Sequence, residues 1–211
     1  EEIISPGMSL LQKDRNTDVI RVSYESPKTP IRTYEYNVAT KEKKLVKKLE
    51  IPSGYDRDEY IVKRVNCEAH DGRKIPITIT YHKDTKLDGS ANLLLYGYGS
   101  YGHTISPSFS TTRLSLINRN IIWATAHIRG GMERGMKFWE EGKMLNKKNT
   151  FKDYISCTKF LIDQNYTGKG KVIGYGGSAG GLLMGAVVNE APELFLGIIM
   201  AVPFVDCLTT N

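Results

Sequence analysis

Cysteine is scarce in this chain of 211 residues, which contains three: Cys67, Cys157 and Cys207. Their number is odd and their spacing is wide, so they form neither a disulfide framework nor a metal-binding pattern. A disulfide-rich secreted domain and a structural zinc site are thereby excluded. Free thiols are typical of a reducing compartment, so we expect a cytoplasmic protein that holds no metal.

Long apolar runs are missing as well. The longest, 194–202, contains Gly197 and has the length of a buried strand, which is too short to span a membrane. The chain carries 29 Lys and Arg against 23 Asp and Glu, a net charge of +6. Its lysine clusters indicate a solvated face, because no aromatic residues alternate with them as they do in nucleic-acid binders. We therefore expect neither a membrane nor a nucleic acid as a partner.

One motif stands out among the residues that are present. Residues 171–188 predict a short apolar strand, a glycine-rich turn around Ser178 and an apolar helix. The turn, Gly-Gly-Ser-Ala-Gly at 176–180, has the G-x-S-x-G pattern of a nucleophile elbow. Such a turn tolerates no bulky side chains beside the serine, and it exposes the hydroxyl near the first N–H groups of the helix. The alternative is a glycine-rich turn with an incidental serine.

The base that such a serine needs is absent. In this fold class the triad runs in the order Ser, then Asp or Glu, then His. Glu190, Glu193 and Asp206 follow Ser178, but no histidine does. The four histidines come earlier and are better explained as surface or loop residues; they stand at positions 70, 82, 103 and 127. Since the chain also begins with Glu1 rather than Met, we expect it to be a piece of a longer enzyme.

Two regions of the chain differ in their pattern of predicted strands and helices. Short alternating segments at 18–24, 31–38 and 43–49 predict an antiparallel meander, and residues 51–55 predict a linker. From about residue 57, apolar strands alternate with helices, which indicates an α/β fold with a mostly parallel sheet covered on both faces. Strands are expected at 60–67, 74–81, 93–96, 121–126, in the elbow and at 197–202. The first two of these, joined by a tight turn, predict an antiparallel hairpin at the sheet edge.

Polar and aromatic residues follow several of these strands. Because ligands bind at the carboxyl ends of parallel strands, we expect Tyr98, Tyr101, Arg129 and Ser178 to lie at one edge of the sheet. Residues 95–102 alternate glycine with tyrosine. A tyrosine hydroxyl at this strand end is expected to donate a hydrogen bond to an oxyanion formed on the substrate.

Two local pairings are also expected. Arg129 and Glu133 lie within one glycine-rich turn, and we interpret their pairing as loop architecture rather than as a direct chemical role. Thr150 and Asp153 have the spacing of a capping box, which predicts that a helix begins there. Both pairings concern how the loops are shaped.

Six segments occur in a defined order: Tyr-Gly-Tyr-Gly-Ser-Tyr-Gly at 96–102, Arg-Gly-Gly-Met-Glu-Arg-Gly at 129–135, Lys-Lys-Asn-Thr-Phe-Lys-Asp-Tyr at 147–154, Gly-Gly-Ser-Ala-Gly-Gly at 176–181, Pro-Glu-Leu-Phe at 192–195 and Val-Pro-Phe-Val-Asp at 202–206. Over about residues 17–211, the chain resembles the prolyl oligopeptidase family of serine peptidases, most of all its oligopeptidase B branch. The resemblance implies a β-propeller that caps an α/β-hydrolase domain and restricts substrates to short peptides. Residues 1–56 are then expected to be the last part of the propeller and a linker. Residues 57–211 are expected to be the N-terminal portion of the catalytic domain.

The resemblance also implies roles for individual residues. Ser178 is expected to be the nucleophile, and the Tyr98 hydroxyl and the Ala179 backbone N–H to form the oxyanion hole. Tyr101 is expected near the substrate. The catalytic Asp and His, and the acidic residues that receive an Arg or Lys side chain of the substrate, are expected beyond Asn211. No metal and no cofactor are implied.

The chain departs from oligopeptidase B relatives in one substrate loop. That loop often carries an Asp-x-Asp pair that favours a second basic residue, whereas this chain has Ser106-Pro107-Ser108. Ser106 and Ser108 are therefore expected at the substrate without offering it a carboxylate. A weakened preference for dibasic peptides follows.

The leading interpretation is a serine oligopeptidase that hydrolyses short peptides after Arg or Lys through an acyl-enzyme. The alternatives are a prolyl-specific oligopeptidase, a carboxylesterase on the same fold and a non-catalytic fragment. Strands before residue 50 argue against the esterase, which needs no propeller, and the absent histidine is direct evidence for the fragment. Without a C-terminal half, whether continuous or a separate partner, this chain alone is expected to be inactive and prone to aggregate.

Overall fold

A computed structural model describes residues 5–8 and 16–209, with the backbone alone for residues 5–8. The predicted domains 1–56 and 57–211 include residues 1–4, 9–15 and 210–211, which lie outside the described residues. Two sheets follow one another along the described chain, one of four strands and one of six.

The first sheet is an antiparallel meander with the strand order β1-β2-β3-β4. Its strands are β1 (Ser5–Met8), β2 (Val19–Ser26), β3 (Thr29–Asn37) and β4 (Lys43–Lys48). The predicted meander is confirmed at nearly the predicted bounds, whereas β1, whose sequence does not alternate, was not predicted. Every residue of β4 is exposed, and four of its six residues are lysines, which keeps this edge strand solvated.

The second sheet has the strand order β10-β9-β7-β8-β6-β5. Its strands are β5 (Tyr60–Glu68), β6 (Lys74–His82), β7 (Leu93–Gly97), β8 (Ile122–Ala126), β9 (Val172–Gly177) and β10 (Phe195–Ala201). Strands β8, β7, β9 and β10 are parallel, while β5 and β6 form an antiparallel hairpin at one edge. The mostly parallel sheet and its edge hairpin are confirmed.

Four α-helices accompany the second sheet in the described residues: α1 (Thr111–Ile117), α2 (Met136–Glu140), α3 (Lys148–Asp163) and α4 (Ala179–Glu190). Three short 3₁₀ turns span Arg57–Glu59, Met144–Asn146 and Pro192–Leu194. The longer helices α3 and α4 were predicted, but the short helices α1 and α2 were not. No helix in the described part of the chain is long and apolar enough to cross a membrane.

The predicted capping box is wrong. Helix α3 begins at Lys148, so Thr150 lies inside its first turn and is fully buried. The Thr150 hydroxyl donates to the carbonyl oxygens of Arg129 (2.9 Å) and Gly142 (3.2 Å), and the Asp153 carboxylate binds the Arg129 side chain. The two side chains that would form a capping box therefore make their hydrogen bonds with other loops instead.

Apolar side chains pack on both faces of the second sheet. Helices α3 and α4 cover a large cluster that includes Ile77 and Leu95, both fully buried. Helix α1 covers a smaller cluster on the opposite face, where Ile117 packs with Tyr60. The alternation of side chains along the strands separates these two clusters, as the pleat requires.

The strand predicted to be buried at 194–202 is instead an edge strand. Leu196, Ile199 and Met200 on β10 are exposed, with 59%, 46% and 44% of their surface accessible. Within the described residues, β10 pairs with β9 alone, so nothing covers its other edge. The prediction of an apolar strand is confirmed, whereas the prediction of its burial is wrong.

Candidate active site

Ser178 lies at a sharp turn between β9 and α4. Its backbone adopts φ 54° and ψ −116°, a region that a non-glycine residue enters only under strain. A Cβ atom on Gly176 would lie 2.1 Å from the Gly180 carbonyl oxygen, and one on Gly180 would lie 2.9 Å from that of Gly97. The turn therefore requires both glycines, and the predicted nucleophile elbow is confirmed as a structure.

Hydrogen bonds hold the strained backbone of Ser178 in place. Its N–H donates to the Ala201 carbonyl oxygen (2.9 Å), and its own carbonyl oxygen accepts from the N–H groups of Phe204 and Gly181 (2.9 Å each). The residue is exposed, and no hydrogen bond of its hydroxyl occurs among residues 16–209. Ala179 begins α4, where backbone N–H groups lack intrahelical acceptors. The unpartnered Ser178 hydroxyl thus lies next to the Ala179 N–H, for which no acceptor occurs in the described residues.

The loop after β7 brings Tyr98 to the elbow. A Cβ atom on Gly180 would lie 3.5 Å from Tyr98 Cδ2, which places the tyrosine ring against the first turn of α4. The ring also meets that of His103 edge-on, with centroids 5.3 Å apart. In the part of the chain that is described, the Tyr98 hydroxyl has no hydrogen-bond partner. Position and free hydroxyl both fit the expected oxyanion donor.

A cavity of about 760 Å³ opens beside the elbow. Its lining includes Tyr101 and Ala179 but neither Tyr98 nor Ser178, which is the exposed neighbour of Ala179. Tyr101 is 78% exposed and has a left-handed backbone (φ 56°) that projects it from the loop. The remaining walls come from the loops after β7 and β8, from α2 and the turn before α3, from the first turn of α4 and from the segment after β10: Ser100, Gly130, Trp139, Gly142, Lys143, Met144, Lys147, Leu182, Phe204 and Cys207.

Ser106 and Ser108 lie apart from this cavity. Ser106 borders a separate narrow crevice, together with His127 and Arg113. The carbonyl oxygen of Ser108 accepts a hydrogen bond from the Arg113 guanidinium at 3.1 Å. The structure therefore brings Tyr98, Tyr101, Ala179 and the nucleophile position together, and it sets the two serines beside a cation.

The expected pair between Arg129 and Glu133 is wrong. Arg129, 2% exposed, binds the Asp153 carboxylate at 2.6 and 2.8 Å and the Asp71 carboxylate at 2.6 and 3.2 Å. Glu133 instead accepts from the Ile105 N–H at 3.1 Å. Burial works against the charge of Arg129, but the hydrogen bonds to Asp153 and Asp71 outweigh it and raise the pKa of the guanidinium. The sequence signal that could have found Asp153 is its place in the 147–154 segment.

No histidine hydrogen-bonds to Ser178 within the described residues. His127 is 1% exposed, and its Nε2 and Nδ1 lie 2.8 Å from Thr78 Oγ1 and 3.3 Å from Glu133 Oε1. Burial is the main cause that lowers the pKa of His127. His103 packs on Tyr98, as described above, and the other two histidines lie at strand ends or turns. None of the four histidines is therefore positioned, within residues 16–209, to accept a proton from the Ser178 hydroxyl.

Comparison with known proteins places this geometry in a family. A model of the "Prolyl oligopeptidase family" matches residues 107–211. The chain is 47% identical over 211 residues to dipeptidyl aminopeptidase BI of Pseudoxanthomonas mexicana, covering all of this chain and 29% of that protein. It is 44% identical over 201 residues to protease 2 of Moraxella lacunata, covering 95% and 29% respectively. The chain therefore spans less than a third of the length of these curated relatives.

Solved structures agree with the sequence comparison. Oligopeptidase B from Leishmania major is 39% identical and superposes with a TM-score of 0.90, over 98% of this chain and 29% of that one. The predicted fold class, an α/β-hydrolase core preceded by strands of a β-propeller, is confirmed. The chain belongs to the prolyl oligopeptidase family.

Proposed function

We propose that this chain is a segment of a serine oligopeptidase that cleaves short peptides through an acyl-enzyme, with Ser178 as the nucleophile. The observation that carries the proposal is the strained, exposed Ser178 with its unpartnered hydroxyl at the start of α4. A strained elbow is maintained in a fold because it presents a reactive group in a fixed direction.

The chemistry assigns each group one task. Ser178 Oγ attacks the scissile carbonyl carbon, and negative charge develops on the carbonyl oxygen. The Tyr98 hydroxyl and the Ala179 N–H donate to that oxygen, which lowers the barrier because they are positioned before the charge forms. A histidine oriented by an aspartate, both from parts of the enzyme outside this chain, takes the Ser178 proton and passes it to the leaving amine. Water then releases the acyl group.

The domain division is part of the same proposal. Residues 1–56 would be the last part of the propeller with its linker, and residues 57–211 the first part of the hydrolase domain. Support comes from the change at the linker, where the antiparallel meander ends with β4 and the second sheet begins with β5. The two parts are joined by a hydrogen bond from the Phe109 N–H to Glu25 Oε2 at 3.0 Å. We also propose a cytoplasmic location, consistent with three free thiols.

Cleavage after Arg or Lys is the specificity that we propose. It follows from the resemblance to the oligopeptidase B branch, which is supported by 44% identity to a protein named protease 2 and by the superposition on oligopeptidase B. Dipeptide release from a free N-terminus is a second candidate, because dipeptidyl aminopeptidase BI is 47% identical. The two differ in whether the substrate must carry a free amino group.

A substrate panel tests the proposal on the purified full-length protein that contains this chain. The panel holds N-blocked fluorogenic peptides ending in Arg or in Pro, a free-amine dipeptide amide and a simple ester. We expect the blocked Arg peptide to be cleaved fastest. Cleavage of the free-amine substrate alone would favour the second candidate, and hydrolysis of the ester without any peptide would contradict a peptidase.

Tyr98→Phe is expected to lower kcat by about 10²–10³-fold with little change in KM, because the lost hydroxyl acts on charge that forms in the transition state. Steady-state kinetics on the blocked Arg peptide measure both constants. Tyr96→Phe is the matched control, since it removes a phenol hydroxyl from β7 away from the cavity. An unchanged kcat in Tyr98→Phe would remove this residue from the oxyanion hole.

A weak dibasic preference is expected from the 106–108 loop. Neither Ser106 nor Ser108 carries a carboxylate, Ser106 borders a crevice apart from the cavity beside the elbow, and Arg113 adds a cation in that crevice. Arg-Arg and Ala-Arg peptides should therefore have similar kcat/KM. Ser106→Asp should raise the ratio by up to about fivefold, as one exposed ion pair allows. A strong Arg-Arg preference in the unmodified protein would contradict this reading of the loop.

A further inference from the structure

The first turns of α3 present a row of polar side chains to the loops around the site. Lys147 Nζ donates to the Gly99 carbonyl oxygen (2.6 Å) and to Ser100 Oγ (2.8 Å). Further along the helix, Thr150 and Asp153 bind the 129–142 region, and the Tyr154 hydroxyl donates to the Leu95 carbonyl oxygen (2.6 Å). The 147–154 segment thus contacts several loops at the carboxyl edge of the sheet. Lys147 is the residue of this segment that contacts the loop after β7, which carries Tyr98.

The loop that Lys147 holds has left-handed backbones at three positions: Gly99, Tyr101 and Gly102, with φ of 66°, 56° and 66°. The two glycines adopt this conformation freely, whereas Tyr101 does so at a steric cost. A strained residue of this kind persists only where the surrounding structure holds it in place. Besides the contacts of Lys147, the Gly102 N–H donates to the Gly130 carbonyl oxygen at 2.9 Å. The loop is therefore fixed at Gly99 and Ser100 by one side chain and at Gly102 by another loop.

Lys147 acts one peptide bond away from Tyr98. The Gly99 carbonyl oxygen is held between the Lys147 ammonium and Gly130, where a Cβ atom would approach that oxygen to 2.1 Å. The Tyr98 hydroxyl has no hydrogen bond of its own in the described residues. Its direction depends on the backbone that Lys147 holds, on the first turn of α4 and on the edge contact with His103.

The charge of Lys147 has no carboxylate to neutralise it. No salt bridge of this residue occurs among residues 16–209, and its two acceptors are neutral oxygens. Burial lowers the pKa of Lys147 to about 8, and the residue lines the cavity beside the elbow. An ammonium group has three N–H donors, so one remains beyond the two that bind the loop. A surface lysine with a structural ion pair would show none of these features.

We propose that Lys147 is a positioning residue of the active site, whose ammonium group fixes the Gly99–Ser100 backbone and thereby aims the Tyr98 hydroxyl at the oxyanion. This inference rests on the proposed function, because it assumes that Tyr98 donates to a substrate oxygen. It assigns a task to the first residue of the 147–154 segment, which the mechanism above does not use.

A double-mutant cycle on the full-length protein tests the proposal with the blocked Arg peptide. Lys147→Met is expected to lower kcat about 10–100-fold and to leave KM within about twofold. In a Tyr98→Phe background the same substitution is expected to lower kcat by less than about threefold, because the Tyr98 hydroxyl through which it acts is already absent. Lys148→Met, at the exposed neighbouring lysine, is the matched control and should leave kcat unchanged.

The other outcomes of this cycle contradict either the positioning role of Lys147 alone or the proposed function as well. Equal losses with and without the Tyr98 hydroxyl, or an unchanged kcat in Lys147→Met, would overturn the positioning role alone. No cleavage by the unmodified protein would overturn the proposed function and this inference with it. Thermal unfolding is measured in parallel. If Lys147→Met is not fully folded, Lys147→Gln, which keeps an N–H donor, is taken through the same cycle, with a smaller expected loss of kcat that still depends on the Tyr98 hydroxyl.

Discussion

Ser178→Ala is expected to lower kcat for peptide cleavage by about 10⁶-fold, the loss that follows removal of the nucleophile from a serine protease triad. The size of the effect comes from the mechanism, because without Oγ no acyl-enzyme forms and the oxyanion donors have no covalent intermediate to stabilise. The alanine side chain needs no additional space at this exposed turn. Cleavage of the blocked Arg peptide, followed over hours, measures the residual rate.

A matched control separates chemistry from folding. Ser90→Ala makes the same substitution at another exposed serine, in the loop before β7, and should retain full activity. Fluorescence polarisation of a labelled peptide should show that Ser178→Ala still binds substrate. Residual cleavage within tenfold of the unmodified rate would mean that another residue is the nucleophile.

Asp153→Ala is expected to destabilise the protein by about 3–5 kcal/mol, the usual cost of leaving one partner of a buried ion pair without the other. Asp153 is 0% exposed, and its carboxylate accepts from the Arg129 backbone N–H (3.1 Å) and from its guanidinium. The remaining partner, Asp71, has a side chain that is 39% exposed and contacts the other side of the guanidinium. In Asp153→Ala, Asp71 alone therefore pairs with the buried Arg129 cation, and the side of the guanidinium that Asp153 contacts has no carboxylate.

Thermal unfolding of the full-length protein measures this effect. For a domain of roughly 150–250 residues, a loss of 3–5 kcal/mol corresponds to about 6–20 °C in Tm, and a larger domain shifts less. Asp163→Ala, an exposed aspartate at the end of the same helix, is the control and should shift Tm by about 2 °C or less. Equal shifts for the two variants would show that the Arg129 network contributes little stability.

The elbow could be predicted because its geometry is local. A strained serine between a strand and a helix demands glycine at 176 and 180, and both requirements are visible within a few letters of sequence. The sheet was predictable for a similar reason, since buried parallel strands are short apolar runs. The expectation for Tyr98 depended on its place just after such a strand.

Contacts between distant segments could not be predicted in this way. Arg129 pairs with Asp71 and Asp153, 58 and 24 residues away, although Glu133 is nearer in sequence. Thr150 and Asp153 have the spacing of a capping box, but in the folded chain their side chains bond to Arg129, which lies in another loop. Periodicity and spacing report local structure, whereas these pairings depend on which loops the sheet brings to one edge.

The covalent modification of Ser178 tests the central claim most directly. The full-length protein is treated with a fluorophosphonate, which reacts with activated serine hydroxyls, and the modified residue is located by peptide mass spectrometry. The account predicts one adduct, on Ser178, and loss of peptide cleavage in proportion to labelling. Cleavage that persists without an adduct on Ser178, or an adduct on a different serine, would contradict it.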